Sequence, residues 1–172
     1  WFADGSARLE AELARVRNDE PVWNWSAHAP DTAAFWVRRM AQEAAVHRYD
    51  AELAATGTAE AIDPAMAKDG LDEYFDMFLP RVDDRSPIRI GELAVQMRTL
   101  DDDADAQGTW MVRCGDGPPV VTHEHGKGDV ALQGPANALL LAIWGRLDPD
   151  EMGLELYGDP ADWARFHAAT AI

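Results

Sequence analysis

Hydrophobic residues recur at helical spacing in the first half of the chain and alternate along strands in the second half. A helix is predicted over residues 6–17, where one face carries Leu9, Leu13 and Val16. A long helix is predicted from Thr32 to Thr56, because Gly57 follows as a typical C-terminal stop. The first part of the chain is therefore expected to be helical.

A third helical region begins at Asp63-Pro64, since a capping aspartate followed by proline favours a helix start. We expect an interruption near Gly70 and an end at Pro80. Beyond it, short runs with strand character alternate with glycine turns. These predicted strands are Ile90–Leu100, Thr109–Cys114, Val120–His125, Asp129–Leu132 and Leu154–Tyr157. Helices are predicted over Asn137–Trp144 and from Asp159-Pro160 through Phe166.

Helices followed by mostly antiparallel strands with two further helices indicate an α+β protein. The charged stretch Arg81–Pro87 lacks periodicity and is interpreted as a linker. We therefore predict a helical domain over residues 1–82 and an α+β domain over residues 88–172.

The chain is strongly acidic, with 31 acidic against 15 basic residues and a net charge of −16. Such a field repels nucleic-acid phosphates and anionic membrane surfaces, so neither is expected as a partner. Cys114 is the only cysteine, which excludes an intrachain disulfide and favours a reducing, cytoplasmic location. The sequence has no apolar run of membrane-spanning length and no signal peptide.

Candidate chemistry lies on the long helix. On a helical wheel one stripe contains Trp36, Met40, Glu43, His47, Asp50 and Ala54. The apolar members predict that this stripe faces inward, whereas Arg38, Gln42, Ala45, Tyr49 and Glu52 are expected to be solvated. Glu43 and His47 are one turn apart, so both can bind one divalent ion. A buried hydrogen bond between them explains the same spacing.

The sequence from Phe35 to Glu52, FWVRRMAQEAAVHRYDAE, resembles the signature helix of the mycothiol-dependent maleylpyruvate isomerase family. The resemblance covers essentially the whole chain. It continues in Ile62-Asp63-Pro64, Gly70–Glu73, Phe78-Leu79-Pro80, Asp129–Ala136, Leu139–Arg146 and Leu156–Asp159.

This resemblance implies part of a DinB-like four-helix bundle followed by a small sterol-carrier-like α+β domain. It also implies a metal site, usually zinc, in which Glu43 and His47 match two of three protein ligands. The third, a histidine from an earlier helix, has no match in this chain, which we expect to begin after the opening helices of the bundle. His28, on the turn before the long helix, is a weak candidate for this third ligand. We therefore expect this chain alone to be inactive, and expect pairing with the missing helices or with another chain.

The implied reaction uses mycothiol as a nucleophile activated by the metal. Its thiolate adds to the cis double bond of a small unsaturated acid, and rotation and expulsion of the thiol give the trans product. Asp50 would orient His47, and Arg146 is predicted to clamp a substrate carboxylate as a catalytic residue.

Two other functions stay open, namely a small-ligand-binding module and a metal-binding regulatory protein without catalysis. His123 and His125 could chelate an ion from one strand face, although an exposed edge explains them as well. Cys114 is interpreted as a small core residue rather than a nucleophile.

Overall fold

The computed structural model describes residues 1–26, 28–81, 90–101 and 108–170 of the chain. The described part forms two compact units, Trp1–Glu60 and Ala61–Ile172. The predicted linker after Arg81 lies outside the described residues, as do residues 102–107. Among the described residues, no helix is both long and apolar enough to cross a membrane.

The first unit contains two helices, α1 at Phe2–Arg15 and α2 at Ala33–Thr56. α2 ends where the sequence predicted, since Gly57 adopts a left-handed conformation with φ of 77° and its N–H bonds to the carbonyl of Leu53. Only glycine adopts this conformation without steric cost, which explains why the helix stops there.

The segment before α2 is held by the buried side chain of Asn24. Its amide donates to the carbonyl of Pro30 and to Oδ1 of Asp31, at 2.9 and 3.0 Å. Its own Oδ1 accepts from the N–H of Ser26 at 2.7 Å. These bonds satisfy the polar groups of a turn-rich segment and fix the point at which α2 begins.

The second unit begins with α3 at Pro64–Glu73, a π-helical turn at Tyr74–Phe78 and a short 3-10 turn at Leu79–Arg81. Asp63 caps α3 as predicted, because its carboxylate accepts from the N–H groups of Ala65 and Met66. The elements that follow are β1 Leu93–Thr99, β2 Thr109–Cys114, β3 Val120–Thr122, β4 Val130–Gly134, α4 Ala136–Ile143, a 3-10 turn at Pro149–Met152, β5 Glu155–Gly158 and α5 Pro160–Thr170.

The five strands form one sheet in the order β3-β2-β1-β4-β5. Only β1 and β4 pair in parallel, whereas the other three pairs are antiparallel, as the sequence predicted. The α+β fold class is therefore confirmed. The core contains Val95 and Met97 of β1 with Leu132 of β4, all fully buried, and every residue of α4 except Asn137 is buried.

The division between the units comes earlier than the predicted boundary at residues 82–88. α3 packs against α4, and the N–H of Ile62 donates to Oδ1 of Asn137 at 2.8 Å. The predicted interruption at Gly70 is wrong, because Gly70 is a buried residue inside α3. The irregularity is instead the π-helical turn, where Tyr74 and Phe78 both contact the Trp144 ring at centroid distances of 5.1 Å.

Tyr74 gives the second unit a pH dependence that can be measured. Its side chain is 1% exposed, and its hydroxyl donates to the carbonyl of Thr170 at 2.7 Å. Burial raises its pKa from 10.0 to about 12. Because the folded state favours the neutral phenol, this stabilisation is complete below about pH 10 and is lost as the pH rises towards about 12.

We expect the free energy of unfolding, measured with urea, to fall between about pH 10 and pH 11.5, and to fall less in Tyr74→Phe. An equal fall in both proteins would contradict this assignment.

Candidate functional site: the α2 carboxylate–histidine cluster

The buried face of α2 differs from the predicted one. The residues of α2 that are buried are Ala33, Phe35, Arg39, Gln42, Val46 and Tyr49. Gln42 and Tyr49, which were expected to be solvated, are thus inside. Trp36 and Met40 line an apolar groove of about 440 Å³. Its other lining residues include Leu9 and Leu13 of α1, and Val16, which directly follows α1. Glu43, His47 and Asp50 are not among the residues that line this groove.

Glu43, His47 and Asp50 lie on the continuation of this stripe. Their side chains are 43%, 60% and 36% exposed, so the prediction of an interior site is wrong for the described part of the chain. Their mutual geometry is nevertheless close. Nε2 of His47 lies 3.1 Å from Oε2 of Glu43, and Nδ1 of His47 lies 3.0 Å from Oδ2 of Asp50.

The donor set fits part of a zinc site. Two ligand atoms of one tetrahedral zinc are about 3.3 Å apart when each metal–ligand distance is about 2.0–2.1 Å. The 3.1 Å separation in the Glu43–His47 pair is close to that value. Asp50 contacts the second ring nitrogen of His47, as a carboxylate commonly does beside a metal-bound histidine. Among the described residues, no group of three or more His, Cys, Asp or Glu side chains is placed to hold an ion.

Arg39 is a member of this cluster that the sequence reasoning missed. It is 5% exposed, and its Nη2 lies 2.7 Å from Oε1 of Glu43. One oxygen of the carboxylate therefore contacts a guanidinium, and the other faces His47. The signal was present in the sequence, because Arg39, Glu43 and His47 follow one another at intervals of four residues.

Arg146, the predicted carboxylate clamp, lies in the second unit just after α4. Its Nη1 donates to the carbonyl of Trp144 at 2.9 Å, and its guanidinium carbon is 5.8 Å from the centre of the Trp144 ring. These contacts hold the side chain against its own turn.

The remaining candidates do not converge. Nδ1 of His123 contacts the carbonyl of Thr109 at 3.1 Å, whereas Nδ1 of His125 contacts Nε2 of Gln96 at 3.0 Å. The two imidazoles thus have separate partners, and both residues are exposed. Cys114, at the end of β2, is partly buried.

Several solved structures are distantly similar to this chain. An inverting sec-alkylsulfatase from Pseudomonas sp. is 16% identical, with a TM-score of 0.47, and the match covers 59% of this chain and 16% of that chain. A UbiJ-SCP2 ubiquinone synthesis protein is 18% identical over 62% of this chain and 94% of its own, with a TM-score of 0.45. A sterol carrier protein 2-like protein from Aedes aegypti is 22% identical over 76% of this chain and 95% of its own, with a TM-score of 0.30.

These structures include sterol-carrier-type proteins, and the likeness at these TM-scores does not extend to function. The match spans only 16% of the alkylsulfatase chain. A comparison with curated proteins finds no match.

Two family models match the chain, and together they include most of both units. The model of the mycothiol maleylpyruvate isomerase N-terminal domain matches residues 1–52, which contain the α2 cluster. The model of the C-terminal domain of the same family matches residues 65–165, which is more than half of the chain. The chain therefore belongs to the mycothiol maleylpyruvate isomerase family.

Proposed function

We propose that this chain is part of a metal-dependent enzyme that uses mycothiol to isomerise, or transfer a thiol to, a small unsaturated acid. Family membership supports mycothiol-related, isomerase-like chemistry. The observation that carries the metal proposal is the convergence of His47 Nε2 on Glu43 Oε2, with Asp50 behind the imidazole.

Glu43 and His47 would hold the ion, with further ligands supplied from outside the described residues. When bound, the divalent ion would lower the pKa of the thiol, so that thiolate exists at neutral pH. Nδ1 of His47 lies 3.0 Å from Oδ2 of Asp50, so Asp50 would hold the ring with Nε2 directed towards the ion. Arg39 holds Oε1 of Glu43 and thereby limits rotation of the carboxylate.

An acidic substrate must approach against the net charge of −16, so local positive groups are needed to bind it. Arg146 is our proposed carboxylate clamp, because a guanidinium offers two parallel donors to a carboxylate.

Turnover of a panel of cis-unsaturated diacids tests this function in the complete protein that contains this chain. The assay compares metal-free and zinc-loaded protein, each with and without mycothiol. We expect isomerisation only when metal and thiol are both present. Turnover without thiol would contradict the proposal.

Two rival functions give different results in the same assay. A binding module would bind the acid but would neither convert it nor contain metal. A regulatory metal protein would bind zinc through Glu43 and His47 but would show no thiol-dependent turnover. Metal content therefore separates the first rival from the enzyme, and turnover separates the second.

A further inference from the structure

Arg39 places a buried positive charge beside a carboxylate that is partly exposed. The side chain of Arg39 is 6% exposed, whereas that of Glu43 is 43% exposed. Nη2 of Arg39 lies 2.7 Å from Oε1 of Glu43, and Nε2 of His47 lies 3.1 Å from Oε2 of the same carboxylate. The two oxygens of Glu43 therefore face different partners, one a guanidinium and the other an imidazole.

A second ion pair on α2 has the same spacing and shows what is particular to the first. Nη1 of Arg48 lies 2.8 Å from Oε2 of Glu52, four residues further along the helix. The Arg48 side chain, however, is 37% exposed. Thr56 follows Glu52 at the next four-residue interval, where the first series has a histidine. A buried guanidinium and a following imidazole thus distinguish the pair of Arg39 from an ordinary surface ion pair.

Burial makes the contact between Arg39 and Glu43 costly to break. A guanidinium keeps its charge in proteins, and removing one partner from a buried ion pair leaves a charge without compensation in a medium of low dielectric constant. Oε1 of Glu43 is therefore committed to Arg39. Only Oε2, which faces His47, is available to a second cation.

This commitment determines how the carboxylate can bind an ion. Carboxylates bind metal ions through one oxygen or through both. A catalytic zinc has three protein ligands and keeps its fourth position for water or substrate. A carboxylate that used both oxygens would occupy that fourth position.

We infer that Arg39 is a positioning residue that restricts Glu43 to binding through one oxygen, and thereby keeps one coordination position open for the sulfur of the thiol. The inference rests on the proposed metal site. In this role Arg39 contacts neither the metal nor the thiol, because it acts through Oε1 of Glu43.

A group that only orients a metal ligand has the opposite effect on metal affinity. Loss of such a group lowers metal affinity or activity by about 10–100-fold. Loss of Arg39 should instead leave metal affinity equal or higher, because Oε1 of Glu43 becomes available as a ligand and a like charge is removed from beside the cation. The cost should fall on thiol binding, since the open position is then occupied.

Cobalt(II) titration of the complete protein that contains this chain tests the inference, because the geometry around a transition metal reports its ligands. In Arg39→Met we expect an altered visible spectrum, a cobalt affinity at or above that of the wild type, and mycothiol binding weakened by at least about tenfold. Arg39→Lys keeps a cation one turn before Glu43, so it should retain the wild-type spectrum and thiol binding. Arg48→Met, the matched control, should change none of the three.

The same titration separates this inference from the proposed function. Wild-type protein that binds no cobalt, or His47→Ala that binds cobalt normally, would overturn both. A cobalt affinity that falls by about tenfold or more in Arg39→Met, or an unchanged spectrum and thiol affinity, would overturn this inference alone. Arg39→Lys behaving like Arg39→Met would do the same. Circular dichroism checks that the variants are folded, and Arg39→Gln replaces Arg39→Met if the latter does not fold.

Discussion

Replacing His47 by alanine in the complete protein is expected to reduce thiol-dependent turnover by more than about 100-fold, and to remove bound metal in parallel. The reason is that Nε2 of His47 is a proposed metal ligand and lies 3.1 Å from Oε2 of Glu43, the other proposed ligand. Even groups that only support a metal ligand are worth about 10–100-fold in affinity or activity. Glu43→Gln should have a similar effect, because an amide is a much weaker ligand than a carboxylate.

The measurement is the initial rate together with the metal content of the purified variants. Asp50→Asn is expected to give a smaller loss, of about 10–100-fold, since Asp50 contacts the second ring nitrogen of His47 and is not itself a proposed metal ligand. Glu52→Gln is the matched control. It lies on the same helix and loses one carboxylate, but its partner is Arg48 at 2.8 Å. Full activity in His47→Ala, or loss of activity with the metal retained, would count against the proposed role.

The second large effect concerns stability. Trp110→Ala is expected to lower the free energy of unfolding of the second unit by about 3–5 kcal/mol. Trp110 is fully buried, its ring lies 6.2 Å from that of Phe75, and its Nε1 donates to Oδ1 of Asp72 at 2.6 Å. Because domains are stable by only about 5–15 kcal/mol, such a loss brings this unit close to unfolding.

Urea unfolding followed by circular dichroism measures this change. Trp110→Phe keeps an aromatic ring but removes the donor to Asp72, so we expect a smaller loss of about 1–3 kcal/mol. Val120→Ala, at a position that is 58% exposed, should change stability by less than about 0.5 kcal/mol. Equal losses of unfolding free energy in all three variants would show that burial of the Trp110 side chain does not stabilise the core more than the exposed Val120 does.

The spacing of the site residues on α2 could be predicted from the sequence, whereas their exposure could not. The four-residue interval fixes Glu43 and His47 on the same side of a helix, whatever the helix packs against. Their 3.1 Å separation is consistent with that expectation. The interval carries no information about which side is buried. Apolar residues lie on both sides of α2, since Trp36 and Met40 line the groove with α1 whereas Phe35 and Val46 are buried on another face.

The local elements were determined by the sequence itself. The left-handed glycine after α2, the aspartate cap before α3 and the strand alternation depend on interactions within a few residues, and each lies near its predicted position. The parallel pairing of β1 with β4, the packing of α3 on α4 and the contact of Tyr74 with Thr170 join residues that are far apart along the chain. Only the tertiary structure decided these, because a side chain's burial depends on which distant surface covers it, and local periodicity does not specify that surface.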